Sequence, residues 1–223
     1  MTPDEGAAAT SDDRAPGTGH AQEEPHGATE RTALKEWAVL CDALAGGEIV
    51  AMVRKGGIRE QRAGFSVRHH RFALYPTYFH EKAAELAPRF HPRLTTVHAA
   101  QPAAGTVRIE LIAEAVGVWA VDDLDRLRAV EHEQGLTWDA LVSRFHYKGR
   151  PGVQVVALRT LRLPAPLELP EIRRYQGCVS WVALDDAIDV SPAVAVLDEA
   201  VLQPRIARIA DALDAPLPTP GEG

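Results

Sequence analysis

The sequence predicts an α+β fold: a mixed or antiparallel sheet, with a partial barrel as one form of it, and helices packed around it. Three observations lead there. Apolar residues recur at period 2 in some segments and near 3.6 in others, in the order α-β-β-α-β-α-α-β-β-α. That order departs from the regular βαβ alternation that builds a doubly wound parallel sheet. The chain has 223 residues, 46% hydrophobic and 25% charged, enough for one substantial core.

The elements follow in order. Leu34, Trp37, Ala38, Cys41 and Leu44 fall on one helical face, which predicts a helix from Thr32, its N-cap, to Leu44, stopped by Gly46-Gly47. Glu48 to Arg54 reads as a buried strand, and Lys55-Gly56-Gly57 turns the chain. Arg71 to Leu74 alternates like a short strand, and Thr77 is placed to cap a helix that Pro88 closes after Ala87. Thr106 to Val121 is a long alternating strand in which Gly117 marks a bulge or bend. Asp122 caps a helix carrying Leu124, Leu127 and Val130, and Thr137 starts another with Trp138, Leu141, Val142 and Phe145. Gly152 to Leu163 is a strong strand, after which Pro164, Pro166 and Pro170 predict a stiff connection. Val179 to Leu184 is a further strand. Ser191-Pro192 has the signature of a last helix start, and that helix meets Pro204 and resumes with Ile206, Ile209 and Leu213. Trp37 and Trp181, on apolar faces, read as core residues.

Charge sets the domain limits. Residues 1–30 hold seven acids and one base and read as a disordered acidic tail. Residues 31–213 form a single α+β domain, and residues 214–223 a disordered Pro-rich tail. The net charge of -7 therefore belongs to the tails, because residues 31–211 hold 23 bases and 22 acids. No window approaches ~18 consecutive apolar residues and no basic-then-apolar leader is visible, so no membrane segment is expected and the location is read as cytoplasmic. Cys41 and Cys178 are too few for a disulfide scaffold or a four-thiolate zinc site. No cofactor or metal is implied, and no pattern specifies an oligomeric state.

Within the core the charges segregate. Residues 54–93 hold nine bases and three acids, residues 144–174 seven bases and two acids, and residues 108–139 three bases and eight acids. Two basic stretches brought together make an anion-binding face; kept apart, they are an ordinary mixed surface. In the first, Arg54-Lys55-Gly56-Gly57-Ile58-Arg59 ends a strand in bases and glycines. Glycine backbone admits close approach of an anion, and Arg54 or Arg59 can hold a phosphate through two parallel bonds; a plain hairpin turn is the competing reading. Tyr75-Pro76-Thr77-Tyr78-Phe79-His80 joins a strand end to a helix start, with His80 as its candidate and capping with aromatic packing as its alternative. Arg144-Phe145-His146-Tyr147-Lys148 interleaves bases and aromatics, which suits phosphate contacts and base stacking as well as it suits a helix end. In Tyr175-Gln176-Gly177-Cys178-Val179-Ser180-Trp181-Val182, Cys178 reads as a small buried thiol rather than a nucleophile.

The run Ala33-Leu34-Lys35-Glu36-Trp37-Ala38, then Arg54-Lys55-Gly56-Gly57-Ile58, then Phe72 to His80, resembles the domain of unknown function 1802 family of bacterial proteins. Ser143-Arg144-Phe145 with Lys148, and Tyr175 to Val182, fit the same pattern, so the resemblance spans roughly residues 33–205. It implies little about activity, beyond an association of some members with restriction-endonuclease-like segments and hence with nucleic acid.

The spacings of known enzyme motifs are not met. The residues two before Lys35, Lys55, Lys82 and Lys148 are Ala33, Val53, His80 and His146, so the carboxylate-x-Lys pair of a restriction-type nuclease is missing. His80-Glu81-Lys82 and His146-Tyr147-Lys148 share a His-x-Lys spacing with phospholipase-D-like enzymes, but Ala87 and Val153 stand where the required Asp belongs. There is no His-Glu-x-x-His and no Gly-x-Ser-x-Gly. The leading expectation is a non-catalytic domain that binds nucleic acid or an anionic small molecule through Arg54, Lys55, Gly56, Gly57, Arg59, His80, Arg144, His146, Tyr147 and Lys148. Helix, glycine turn and a strand ending in Arg-Lys also resemble the PUA and ASCH-type RNA-binding barrels. The alternatives are an enzyme on a phosphorylated or acidic small molecule, with His80 and His146 in a basic pocket, and an accessory protein-interaction subunit.

Overall fold

The computed structural model describes residues 28–55, 69–79, 81–177 and 179–214. The strands are β1 (Thr29–Trp37), β2 (Ala51–Arg54), β3 (Arg71–Thr77), β4 (Thr106–Val121), β5 (Val153–Pro170), β6 (Trp181–Asp189) and β7 (Val194–Ala195). The helices are α1 (Ala38–Ala45), α2 (His91–Ala99), α3 (Leu124–Ala129), α4 (Trp138–Phe145) and α5 (Glu199–Asp214). The strands form one open mixed sheet in the order β2-β5-β4-β3-β1-β6, with β7 attached to β5 off that path. β1 and β3 run parallel, and the other pairs are antiparallel. The fold is thus the expected α+β class. No helix among the described residues is long and apolar enough to cross a membrane.

Alternation along the strands divides the buried side chains between two faces. In β1, Leu34 joins the large cluster under the helices, while Ala33 joins a smaller one on the opposite face. In β3, Phe72 and Leu74 go one way and Ala73 and Tyr75 the other. β4 serves both faces by changing phase. Val107 and Ile109 lie in the small cluster, but Leu111 and Ala113 lie in the large one, because the register with β5 shifts between Ile109 and Leu111. Opposite that shift β5 carries Pro164 and Pro166, between the paired residues Arg162 and Leu167. The prolines interrupt the ladder where no amide is required, so β5 continues to Pro170 instead of becoming a stiff connection. The second shift falls between Ala115 and Gly117, as the lone glycine predicted. There the Trp119 ring lies 2.1 Å from where a Cβ would be built on Gly117, so a larger residue would displace it.

Three local expectations are corrected. Thr32 to Trp37 is strand, not helix. Its residues pair on both sides, with Ala73 to Thr77 of β3 and with Trp181 to Ala183 of β6, and this pairing outweighs the helical spacing of Leu34, Trp37 and Cys41. Only Ala38–Ala45 is helical, with Gly47 in the left-handed region (φ 67°) at its end. Thr77 closes β3 instead of capping a helix: its hydroxyl donates to the Glu36 carbonyl at 3.1 Å. Short 3-10 turns at Ala83–Glu85 and Pro88–Phe90 follow, and the helix comes later, at His91–Ala99. Ser191 turns on Asp189, whose carboxylate accepts from the Ser191 amide at 3.0 Å and hydroxyl at 2.6 Å, and the last helix starts only at Glu199. Two caps do act. Asp123, one residue beyond the expected Asp122, accepts from the Arg126 amide at 2.9 Å, and Thr137 accepts from the Ala140 amide at 3.3 Å.

β1 begins before the residue at which the acidic tail was expected to end. Thr29 and Glu30 pair with Asp189 and Ile188, and the Glu30 carboxylate lies 3.6 Å from Arg71. A chain starting at Arg31 should therefore melt below one starting at Ala28, by about 2–4 °C if the lost rungs are worth about 1 kcal/mol. Thermal denaturation of the two chains followed by circular dichroism checks this.

Candidate functional site

A cleft of about 610 Å³ opens at the end of the sheet where the parallel strands β1 and β3 finish. Because the two strands run in the same direction, both deliver their last residues to the same rim. Lys35 stands opposite Tyr75, Glu36 opposite Pro76 and Trp37 opposite Thr77, and all six line the cleft. The end of β2 adds Arg54, α4 adds Arg144, and the segment between β5 and β6 adds Glu171, Gln176 and Gly177. Tyr78 and Phe79 extend the aromatic wall, with Phe79 76% exposed.

An ion pair forms one end. Arg54 Nη1 donates to Glu36 Oε2 at 3.0 Å and to the Lys35 carbonyl at 3.2 Å. Their side chains are 14% and 6% exposed. The other Glu36 oxygen accepts from the Trp37 amide at 2.9 Å, so a buried carboxylate is satisfied on both sides. Arg144 lies beside this pair, donating through Nη1 to the Val53 carbonyl at 3.2 Å, with its guanidinium 5.5 Å from the Trp37 ring centre. Burial pulls the Arg144 pKa below its ordinary value. Glu36 opposes that shift and Arg54 adds to it. The guanidinium remains charged, in a place where its charge is poorly solvated.

The other end is built on Tyr75. Its hydroxyl donates to Glu171 Oε1 at 2.9 Å, and burial, then this bond, raise the phenol well above its ordinary pKa. Lys35 Nζ sits 5.3 Å from the Tyr75 ring centre and donates to the Gly177 carbonyl at 3.1 Å. Lys35, Arg54 and Arg144 against Glu36 and Glu171 leave these lining groups with one net positive charge. No group of three or more His, Cys, Asp or Glu side chains among the described residues could hold a metal ion.

The sequence-predicted residues separate. Arg54 and Arg144, one from each basic stretch, meet at the cleft. Lys55 is a structural clamp: its ammonium donates to the carbonyls of Phe145 (2.9 Å), Gly152 (2.5 Å) and Arg150, tying β2 to the end of α4. Burial and the Arg150 charge lower its pKa. His146, Tyr147 and Lys148 are exposed beyond α4 and do not line the cleft. Lys148 takes a left-handed turn (φ 57°) that ends the helix, and its ammonium lies 5.4 Å from the Tyr147 ring centre. Gly56, Gly57, Arg59, His80 and Cys178 lie outside the described residues. Trp37 and Trp181 are only partly buried, and Trp37 is a cleft wall as well as a neighbour of the core. Lys35, Glu36, Glu171 and Gln176 were missed. Reading β1 as a helix put Lys35 and Glu36 on a solvent face, and nothing local marks Glu171 and Gln176, which arrive through the topology.

A family model described as Domain of unknown function (DUF1802) matches residues 33–208. The chain belongs to that family. Every described residue named in the cleft lies within the matched range. No protein of curated function matches the chain. The crystal structure of ASCH from Zymomonas mobilis is 15% identical with a TM-score of 0.40, covering 69% of this chain and 86% of that one. A mutant of the same Zymomonas mobilis protein gives 12% identity and a TM-score of 0.40, covering 69% of this chain and 87% of that one.

Two predictions follow from the electrostatics of this DUF1802 cleft. Arg54→Met strands the Glu36 carboxylate in a buried place and should cost about 3–5 kcal/mol. The double variant Arg54→Met with Glu36→Gln removes both charges and should recover part of that loss, as read from urea denaturation. The second concerns Tyr75. A folded-state pKa raised above the ordinary 10.0 gives stability that is fully present below pH 10 and lost as the pH rises past it. Denaturation midpoints between about pH 9 and 11 should fall for the native chain, and less steeply for Tyr75→Phe.

Proposed function

We propose that this domain binds a nucleoside phosphate, either free or as an unstacked unit of a single nucleic-acid strand. The observation that carries the reading is the meeting of Arg54 and Arg144 beside Trp37 in one cleft. A guanidinium has five N–H donors, and Arg144 makes one hydrogen bond among the described residues, so it retains donors for an anion. Its partial burial makes an incoming phosphate a better partner than water. Trp37, Tyr78 and the exposed Phe79 offer faces on which a base can stack. A volume of about 610 Å³ suits one nucleotide rather than a duplex. The reading of an enzyme pocket built on histidines has less support, because His146 stands outside the cleft.

The test uses the full chain at low salt. Fluorescence anisotropy of labelled single-stranded RNA and DNA reads the polymer arm, and tryptophan fluorescence during titration with nucleoside monophosphates reads the free-ligand arm. Arg144→Ala should weaken binding about tenfold or more in whichever arm responds, while Lys148→Ala should change it less than twofold. Failure of both arms would end the proposal.

A further inference from the structure

Glu171 is out of character for a site that receives an anion. A carboxylate near a bound phosphate is unfavourable unless the ligand brings hydrogen-bond donors to it. Yet this carboxylate is held in place. Tyr75 donates to Oε1 at 2.9 Å, and the Glu171 amide is anchored to the Gly105 carbonyl at 2.7 Å. The Tyr75 hydroxyl has no competing acceptor among the described residues and remains a donor at neutral pH, as its raised pKa requires. Oε2 makes no hydrogen bond among the described residues and belongs to a side chain that lines the cleft.

The sheet register sets where this acceptor stands. Tyr75, which holds Glu171, is opposite Lys35, and Thr77 is opposite Trp37, the ring that carries Arg144. These rungs lie two residues apart on the same strands, about 6.6 Å at ~3.3 Å per residue. The cleft thus offers an acceptor held by Tyr75 and a cation beside Trp37, whose rungs are two residues apart. A nucleoside phosphate has the same two features, a base edge with N–H donors and a phosphate.

Resting on the reading of the cleft as a nucleotide site, we propose that Glu171 is its specificity-determining residue and selects guanine. Guanine alone among the common bases presents two adjacent donors, a ring N–H and an exocyclic amine, which a carboxylate accepts as a parallel pair. Adenine and cytosine offer an amine beside a bare acceptor nitrogen. Uracil offers one N–H between two carbonyl oxygens, and these oppose the carboxylate. A site built to accept a donor pair discriminates strongly against ligands that lack it.

The full chain is titrated with GMP, AMP, CMP, UMP and inosine monophosphate, using tryptophan fluorescence confirmed by calorimetry. GMP should bind at least about tenfold tighter than UMP, with AMP and CMP between them. Inosine monophosphate keeps the ring N–H but lacks the amine and should bind about tenfold weaker than GMP, a comparison that requires no variant. Glu171→Gln preserves shape but replaces one acceptor with a donor, and should bring the ligands within about threefold of one another. Arg144→Ala should weaken all of them by a similar factor and leave their order unchanged. Comparable affinities for all five ligands, still weakened by Arg144→Ala, would overturn the guanine selection while the nucleotide cleft stood. A tighter fit for UMP than GMP would overturn it equally, and no binding of any ligand would overturn both.

Discussion

The Glu36–Arg54 pair is the contact on which the arrangement of the cleft depends. β2 is an edge strand held to the sheet by β5, and it stands four positions from β1 in the strand order. Arg54, its last residue, nevertheless reaches the Glu36 carboxylate and the Lys35 carbonyl of β1. The sheet is therefore curled far enough to bring an edge strand back to a central one, although no backbone ladder among the described residues closes it. Where a closed barrel would use amide hydrogen bonds, this fold uses one guanidinium. Arg144 and Lys55 reinforce the seam by joining β2 to α4, through the Val53 carbonyl and through the carbonyls around Phe145. Arg54, Glu36 and Arg144 thus serve both the seam and the charge of the cleft.

That double use explains why the balance of charge at the site is so small. A buried carboxylate and a buried guanidinium satisfy each other and leave little net field. The second arginine, partly stripped of water and resting on a tryptophan, supplies the excess. On the proposed reading, selectivity for an anion would rest on one incompletely solvated cation among aromatic faces, rather than on a broad basic surface. Of the acids that line the cleft, Glu36 is bonded to Arg54 and Glu171 to Tyr75 through one oxygen.

Much of the fold was legible in the sequence because long strands carry strong signals. Thr106 to Val121 was read with the limits it has, including the irregularity at Gly117. The α4 start at Thr137 was likewise local, since a capping side chain and its amide lie three residues apart. Thr32 to Trp37 was misread because apolar spacing alone cannot reveal a strand that will be paired on both sides. Leu34 is buried in a helix or in a strand, and only β3 and β6 decide between them. Of the candidate site, the charge bias of two stretches singled out Arg54 and Arg144, which both line the cleft. It also singled out Lys55, whose ammonium is consumed by carbonyls, and Lys148, whose backbone turns a helix end. A charge count does not distinguish a cation facing a cleft from one that closes a turn. Glu171 was invisible for a different reason: it is held in the cleft by a tyrosine 96 residues away along the chain.

The phase change in β4 has a consequence for how this domain tolerates alteration of its length. On either side of Glu110 the strand serves opposite faces, with Ile109 under one cluster and Leu111 under the other. A residue gained or lost within either half would exchange the side chains that half presents to the two clusters. At the shift itself, β5 already accommodates unmatched residues around Pro164 and Pro166. That position works like an expansion joint. A change of strand length there would leave both cores, and the cleft at the strand ends, intact.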